Sequence, residues 1–367
     1  MCSTIPLQLL GKDRGKSSYL LLMAIILDVQ YHKGDAYQRY LEKTLFGALA
    51  KALPTEKFIA PNNEDYGLSS LKNVTTTTFP PIQGLFLKMK NDKWLRAQNA
   101  SVFISFTRTL KTSIPLKQVL LISTHNPKIQ EKDWSRAEAI GLTTGSLKTE
   151  FSTQLPTLAS RIFLAEGFVT GPEILPDDVQ QQHIKERFTE GLEFFIATDF
   201  DWSKEKLILL LKSFSRLKKM QQSSWKLMIV VRFGDETIMN MALELISTYK
   251  YRADVVITDD EQLYEKIAAA YALVSVDKEE KFPVVVEEAF QVNTPAIALP
   301  TQALKDMYGD IVVYPLDSNH DAIGDMLMLM YKGETYRQSL AKRIAGRKNS
   351  YGEESFIKAL KQVLTNT

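Results

Sequence analysis

The chain has 367 residues, 45% of them apolar and 24% charged, which is enough apolar material for two cores of ordinary size. A formal charge of +2 lacks the basic excess of a nucleic-acid binder, and a single cysteine, Cys2, excludes an internal disulfide and a cysteine-ligated zinc cluster. Such a composition describes a globular protein suited to a reducing compartment.

Residues 19–29 form the longest apolar run near the start, but the run is about half what a bilayer span requires and contains Asp28. Lys12, Arg14 and Lys16 precede it as in a signal peptide, yet Gln30, Tyr31, His32 and Lys33 stand where a small-residue cleavage site is needed. The run reads as a first buried strand at 25–29, with residues 1–22 expected as an extension outside the fold. A helix is expected at 37–53, where Tyr37, Leu41, Leu45, Ala48 and Leu49 recur on one face. Further strands are expected at 57–60, 75–78, 101–105, 118–123, 139–143 and 161–165. Between them, residues 85–96 interleave Lys88, Lys90, Lys93 and Arg96 with Phe86, Leu87, Met89, Trp94 and Leu95. That stretch reads in two ways: as an ordinary helix burying one face, which is favoured, or as a basic-apolar helix resting on an anionic membrane.

Gly and Pro accumulate over 167–178, so a linker is set at 171–190. Beyond it strands are expected at 193–198, 226–231, 254–257, 272–276, 296–298 and 311–314. Helices separate them, one carrying Leu207, Leu210, Leu211, Phe214 and Leu217 along a single stripe. The alternation predicts a parallel α/β protein with a first domain at 23–170, a second at 191–345 and a tail at 346–367.

Open parallel sheets bind ligands beyond the carboxyl ends of their strands, so the loops after strands are where chemistry is sought. The loop after 272–276 carries Glu280, and the helix that follows carries Glu288. A helix start offers unpaired N–H groups to a diphosphate, and carboxylates accept hydrogen bonds from sugar hydroxyls. His125, in Thr124-His125-Asn126-Pro127, is the one histidine at a strand's carboxyl end. After the first strand, His32-Lys33-Gly34-Asp35-Ala36 has one glycine, and a tight strand-to-helix turn is as good a reading as a phosphate cradle. Asp199-Phe200-Asp201 matches Asp-x-Asp but precedes a helix, where it reads as capping. With four scattered histidines, no protein-bound catalytic metal is expected.

Glu280 and Glu288, followed by Ala289 and then Asn293-Thr294-Pro295 before the strand at 296–298, resemble the Glu-x7-Glu motif of retaining nucleotide-sugar-dependent glycosyltransferases (group 1, family 4-like). In outline the resemblance covers residues 23–364. It implies the GT-B fold: two Rossmann-like domains with parallel sheets facing across a cleft, the first binding the acceptor and the second the donor, and the tail packing back toward the first. It implies Glu280 against the donor sugar, Glu288 on the ribose hydroxyls, and the backbone of Phe282, Pro283 and Val284 near the diphosphate. Lys204 and Lys206 lie nearest the position of the family's diphosphate-neutralising lysine, with a solvated helix face as the other reading of both. Gly34 and Asp35 stand at the family's glycine-rich turn, and His125 at its histidine loop, which contacts the donor sugar.

The implied activity is retaining hexosyl transfer from a nucleotide diphosphate-sugar to a glycan or lipid-linked glycan. It would need no metal or other cofactor and would take place in the cytoplasm or peripherally on the inner face of the membrane. The chain departs from the family pattern in having Ala197-Thr198-Asp199 where Gly-Arg is usual, and Lys281-Phe282-Pro283 for Gly-Phe-Gly. These departures leave open a catalytically degenerate member serving as a binding or assembly partner, and an epimerase or hydrolase on the same frame.

Overall fold

The structure, a computed structural model, describes residues 24–29, 35–61, 67–78, 86–124, 131–347 and 352–365. The expected extension at 1–22, Gly34 and His125 lie outside the described residues.

Seven strands form a first sheet: β1 Ala24–Leu27, β2 Lys57–Pro61, β3 Val74–Thr77, β4 Ala100–Ser105, β5 Lys117–Ile122, β6 Ala139–Leu142 and β7 Ile162–Leu164. Five form a second: β8 Phe194–Asp199, β9 Lys226–Val231, β10 Val255–Thr258, β11 Ala272–Ser275 and β12 Ala296–Ala298. The orders are β3-β2-β1-β4-β5-β6-β7 and β10-β9-β8-β11-β12. Every pairing is parallel. Strand order therefore reverses between β1 and β4 in one sheet and between β8 and β11 in the other, which opens a crevice at each carboxyl edge.

The first sheet carries helices α1 Ala36–Ala52, α2 Leu87–Gln98, α3 Glu131–Arg136 and α4 Gly145–Gln154. After α5 Asp178–Thr189 the second carries α6 Lys204–Gln221, α7 Glu236–Ser247, α8 Leu263–Ala269, α9 Val284–Gln291, α10 Gln302–Tyr308, α11 His320–Lys332 and α12 Glu334–Ala345. The chain then returns as α13 Glu353–Thr365, which inserts Phe356, Ile357 and Leu360 into the core formed by β1, β4, β5 and α1.

Local chemistry accounts for these elements. All six residues of β8 are buried, as suits a central parallel strand covered on both faces. In α6, the Ser203 side chain accepts from the Lys206 N–H to cap the helix, while Leu207, Leu210, Leu211, Phe214 and Leu217 bury one stripe. The expected strand at 311–314 is not formed. Gly309–Ile311 is a 3-10 turn, and only Val313 bridges to Ile297. Pro315 follows immediately and has no N–H with which to extend a ladder.

The two halves meet through a small apolar cluster in which Tyr37, Leu41 and Val169 pack against Phe282 and Val284. Gly167 is required at this joint, because a Cβ there would fall 2.6 Å from the Phe282 ring.

Candidate functional site

The loop after β11 crosses from the second half to the first. Lys281 makes an antiparallel bridge with Thr124, just past β5. The Tyr37 hydroxyl, from the first turn of α1, donates to the Phe282 carbonyl at 3.0 Å and lies 3.3 Å from that of Ser123. Burial pushes the Tyr37 phenol well above its ordinary pKa, so it acts as a fixed donor. The bridge and this shared phenol fix where the expected donor loop sits relative to the first sheet.

Beside the loop opens a cleft of about 1120 Å³. Its lining includes six carboxylates (Asp35, Glu150, Asp201, Glu279, Glu280 and Asp306) and two lysines, Lys278 and Lys281. Glu280 lies on this wall and is half-buried. It accepts from the Ser146 hydroxyl of the first domain at 2.8 Å, and from the Gln302 and Ala303 N–H groups at 2.9 and 2.6 Å. The carboxylate thus satisfies the open N–H groups of α10 and ties that helix to α4 across the cleft. Asp35 also lines the cleft, and its side chain caps α1 by accepting from the Gln38 N–H at 2.9 Å.

Glu288 is placed differently. It is 1% exposed and faces Arg232, whose two terminal nitrogens hold both carboxylate oxygens, one of them at 3.1 Å. Arg232 also donates from Nε to the Thr198 hydroxyl at 2.9 Å, and its guanidinium lies 4.1 Å over the Phe200 ring. Burial alone would lower the Arg232 pKa, but the Glu288 charge outweighs it and the guanidinium stays above its ordinary value.

Between these two glutamates, Phe282 to Val286 run into the start of α9, where Pro283 occupies the N-cap. They line a small cavity of about 30 Å³, room for about one water, together with Tyr37, Asp199, Phe200, Asp277 and Lys281. Lys206 Nζ bridges Asp199 at 2.8 Å and Asp277 at 3.5 Å. Lys281 Nζ reaches Asp277 at 2.7 Å and Glu279 at 2.9 Å, and sits 4.7 Å over the Tyr37 ring. Burial pushes the Asp199 carboxyl above the usual carboxylate range, opposed by Lys206 and reinforced by Asp277. For Asp277 burial acts in the same direction, but Lys281 and Lys206 outweigh it and hold it below that range. Lys206 and Lys281 are therefore both matched to carboxylates of the protein itself. Lys204, two residues earlier on α6, is exposed and, like Lys206, absent from the cavity lining.

Asp199 is not a helix cap. It ends β8 and pairs with Lys206, while Ser203 caps α6, a correction to the capping role expected of Asp199-Phe200-Asp201. Arg232, Tyr37, Asp199, Asp277 and Ser146 were not expected at the site. Three of them had a usable signal: Asp199, Arg232 and Asp277 each lie at or just past a buried strand's carboxyl end. Among the described residues no group of three or more His, Cys, Asp or Glu is placed to hold a metal. No helix among them is long and apolar enough to cross a membrane.

On α2, Asn91 and Leu95 are buried, and the Trp94 indole donates to the Thr78 carbonyl at 3.1 Å. Lys88, Lys90, Lys93 and Arg96 point outward with Phe86 and Met89, which are 68% and 65% exposed.

No family model and no curated protein matches the chain. Solved structures do. A glycosyltransferase from Rickettsia africae ESF-5 superposes with a TM-score of 0.74 at 11% identity, over 94% of this chain and 99% of its own. Alr3699/HepE from Anabaena, solved in complex with UDP and glucose, gives 0.70 at 11% identity over 94% and 100%. WaaG, a glycosyltransferase involved in lipopolysaccharide biosynthesis, gives 0.65 at 11% identity over 94% and 100%. With two parallel sheets joined across a cleft and a tail helix returning to the first, the chain has the two-domain GT-B glycosyltransferase fold.

Proposed function

We propose that the protein transfers a hexose from a nucleotide diphosphate-sugar to a glycan or lipid-linked glycan with retention, without a metal or other cofactor. The observation that carries this reading is that Glu280 and Lys281 line the cleft between the two halves while the α9 start lines a small cavity that also takes in Lys281, in a fold shared with a protein from Anabaena that was solved with UDP and glucose.

In this reading the diphosphate lies at the α9 start, where helix N–H groups and Lys206 and Lys281 stabilise the charge that develops on the leaving group. The lysines exchange Asp277 for phosphate oxygens, a swap between like acceptors. Glu280 stands at the sugar. For Glu288 to reach ribose hydroxyls, Arg232 has to release at least one carboxylate oxygen. Closure over the Tyr37–Phe282 contact keeps water from intercepting the sugar. The outward face of α2 supports peripheral contact with an anionic membrane, on the inner face if the protein is cytoplasmic.

One observation favours a second reading. The Glu288–Arg232 clamp and the excess of carboxylates in the cleft both disfavour a bare diphosphate, as expected of a degenerate member retained for binding or assembly. A thermal-shift screen of UDP-, GDP- and ADP-sugars, followed by a product assay with and without acceptor, separates the readings. Stabilisation by one donor with acceptor-dependent turnover supports the transferase. Binding without turnover supports the second reading, and no binding to any donor sinks the transferase. Donor consumption without acceptor points instead to an epimerase or hydrolase.

A further inference from the structure

A second groove, of about 790 Å³, runs along α1 and shares no lining residue with the interdomain cleft. Arg39, Lys43 and Lys51 lie along it at multiples of four residues, so they form one stripe down the helix. A single carboxylate, Glu353, joins them among the described residues lining it. Lys43 and Lys51 are exposed and make no ion pair among the described residues. Charge here is thus opposite in sign to that of the cleft. Gly47 completes the stripe, and packing does not demand a glycine: a Cβ there meets only Leu68 Cδ2, at an ordinary 3.7 Å. A bare backbone in mid-helix weakens a helix, and here it deepens the groove. Apolar surface comes from the half-buried Leu71 and, at one end, from Tyr40 and Phe233, while Ala48 and Leu68 are nearly covered. Phe233 belongs to the second half, is 53% exposed with a φ of 59°, and lies under Arg39 at 5.8 Å.

We propose that this groove binds an elongated amphiphilic anion: an apolar body up to about 18 Å long, the length of helix between Arg39 and Lys51, bearing a phosphate or carboxylate. The apolar body lies on the floor, the anionic group meets the lysines, and the end at Phe233 touches both halves of the molecule. The inference does not rest on the donor-site reading.

The test is calorimetric titration of the full chain with dodecyl phosphate and with laurate, both below their micelle concentrations, and with inorganic phosphate. Binding of either amphiphile, none of inorganic phosphate, and no displacement by UDP are expected; the two amphiphiles distinguish the head group. Lys43→Glu with Lys51→Glu is expected to weaken binding by about tenfold or more. Gly47→Leu weakens it with the charges intact, and the Gln versions of both lysines give a milder loss if the Glu pair does not fold. Unchanged melting temperatures establish that each variant is folded. Failure of both amphiphiles to bind overturns the proposal. So does equal binding of inorganic phosphate, competition by UDP, or affinity that survives both the charge variants and Gly47→Leu.

Discussion

Arg232 grips both oxygens of Glu288 across a separation of 56 residues, in a site where the two side chains are 3% and 1% exposed. Neither charge has water to fall back on, so each depends on the other. Arg232→Met alone is expected to cost about 3–5 kcal/mol, because it strands a buried carboxylate. Arg232→Met with Glu288→Leu removes both charges and should recover most of that loss. Urea unfolding midpoints at matched slope measure both. A double variant as unstable as the single one would show that packing around Phe200, not the ion pair, is what was lost.

Glu280 has two tasks that separate experimentally. As the partner of the α10 N–H groups it contributes about 1 kcal/mol, the ordinary worth of a helix cap. As the carboxylate at the sugar it would contribute far more. Glu280→Gln should therefore lower the melting temperature by only a few degrees and leave UDP affinity nearly unchanged, while turnover falls about 100-fold or more. Equal small effects on stability and rate would leave Glu280 a cap and nothing else.

Both sheets were legible from the sequence because parallel strands buried on two faces are continuous apolar runs. Phe194–Asp199 and Lys226–Val231 are of this kind, and each is followed by a helix with a clear stripe. The strand expected at 311–314 failed because an apolar run says nothing of the hydrogen-bonding partner it needs, and Pro315 closes the ladder. At the site, local features were readable: a loop after β11, and carboxylates flanking a helix start. What was not readable is pairing over long separations. Nothing near Glu288 in the chain announces Arg232, and nothing near Phe282 announces Tyr37, 245 residues away. A strand-end arginine reads as solvated until the fold buries it.

Lys206 and Lys204 are two residues apart on α6, yet only Lys206 pairs with Asp199 and Asp277, two carboxylates that line the cavity at the α9 start. If a diphosphate binds there, Lys206→Met should weaken UDP about tenfold, the worth of a charge-assisted hydrogen bond, and flatten its salt dependence. Lys204→Met should change neither. Titration calorimetry at two ionic strengths decides it, and equal losses from both variants would mean a general field rather than a contact.

Hydrogen bonds from Arg337 and Tyr271 hold the Glu334 carboxyl down at about 2, below its ordinary range. A depressed folded-state value means the contact stabilises above the unfolded-state pKa of about 4.3 and is lost as pH falls toward 2. Glu334 is half-exposed, at 51%, so after solvent screening the contribution stays below about 1 kcal/mol. Glu334→Gln should therefore lower stability slightly at pH 6 and reduce the loss between pH 5 and 3, read from urea midpoints at each pH. A parallel downward shift at every pH would assign the effect to packing against Tyr271.

The outer face of α2 presents four cations and two apolar side chains, while the inner face is already fixed by Asn91, Leu95 and the Trp94–Thr78 hydrogen bond. A helix serving only the core has no use for exposed Phe86 and Met89, whereas one lying on a bilayer has a use for both. Each lysine near an anionic surface is worth about 1 kcal/mol, so reversing three charges should abolish binding that the wild type shows. Co-sedimentation with vesicles containing anionic phosphatidylglycerol should retain the protein at low salt and lose it at high salt. Lys88→Glu, Lys90→Glu and Lys93→Glu together should remove it, and Phe86→Ser with Met89→Ser should weaken it at constant charge. Pure phosphatidylcholine should retain none. If the charge-reversed protein pellets as well as the wild type, the outward face of α2 is an ordinary solvated face and not a membrane contact.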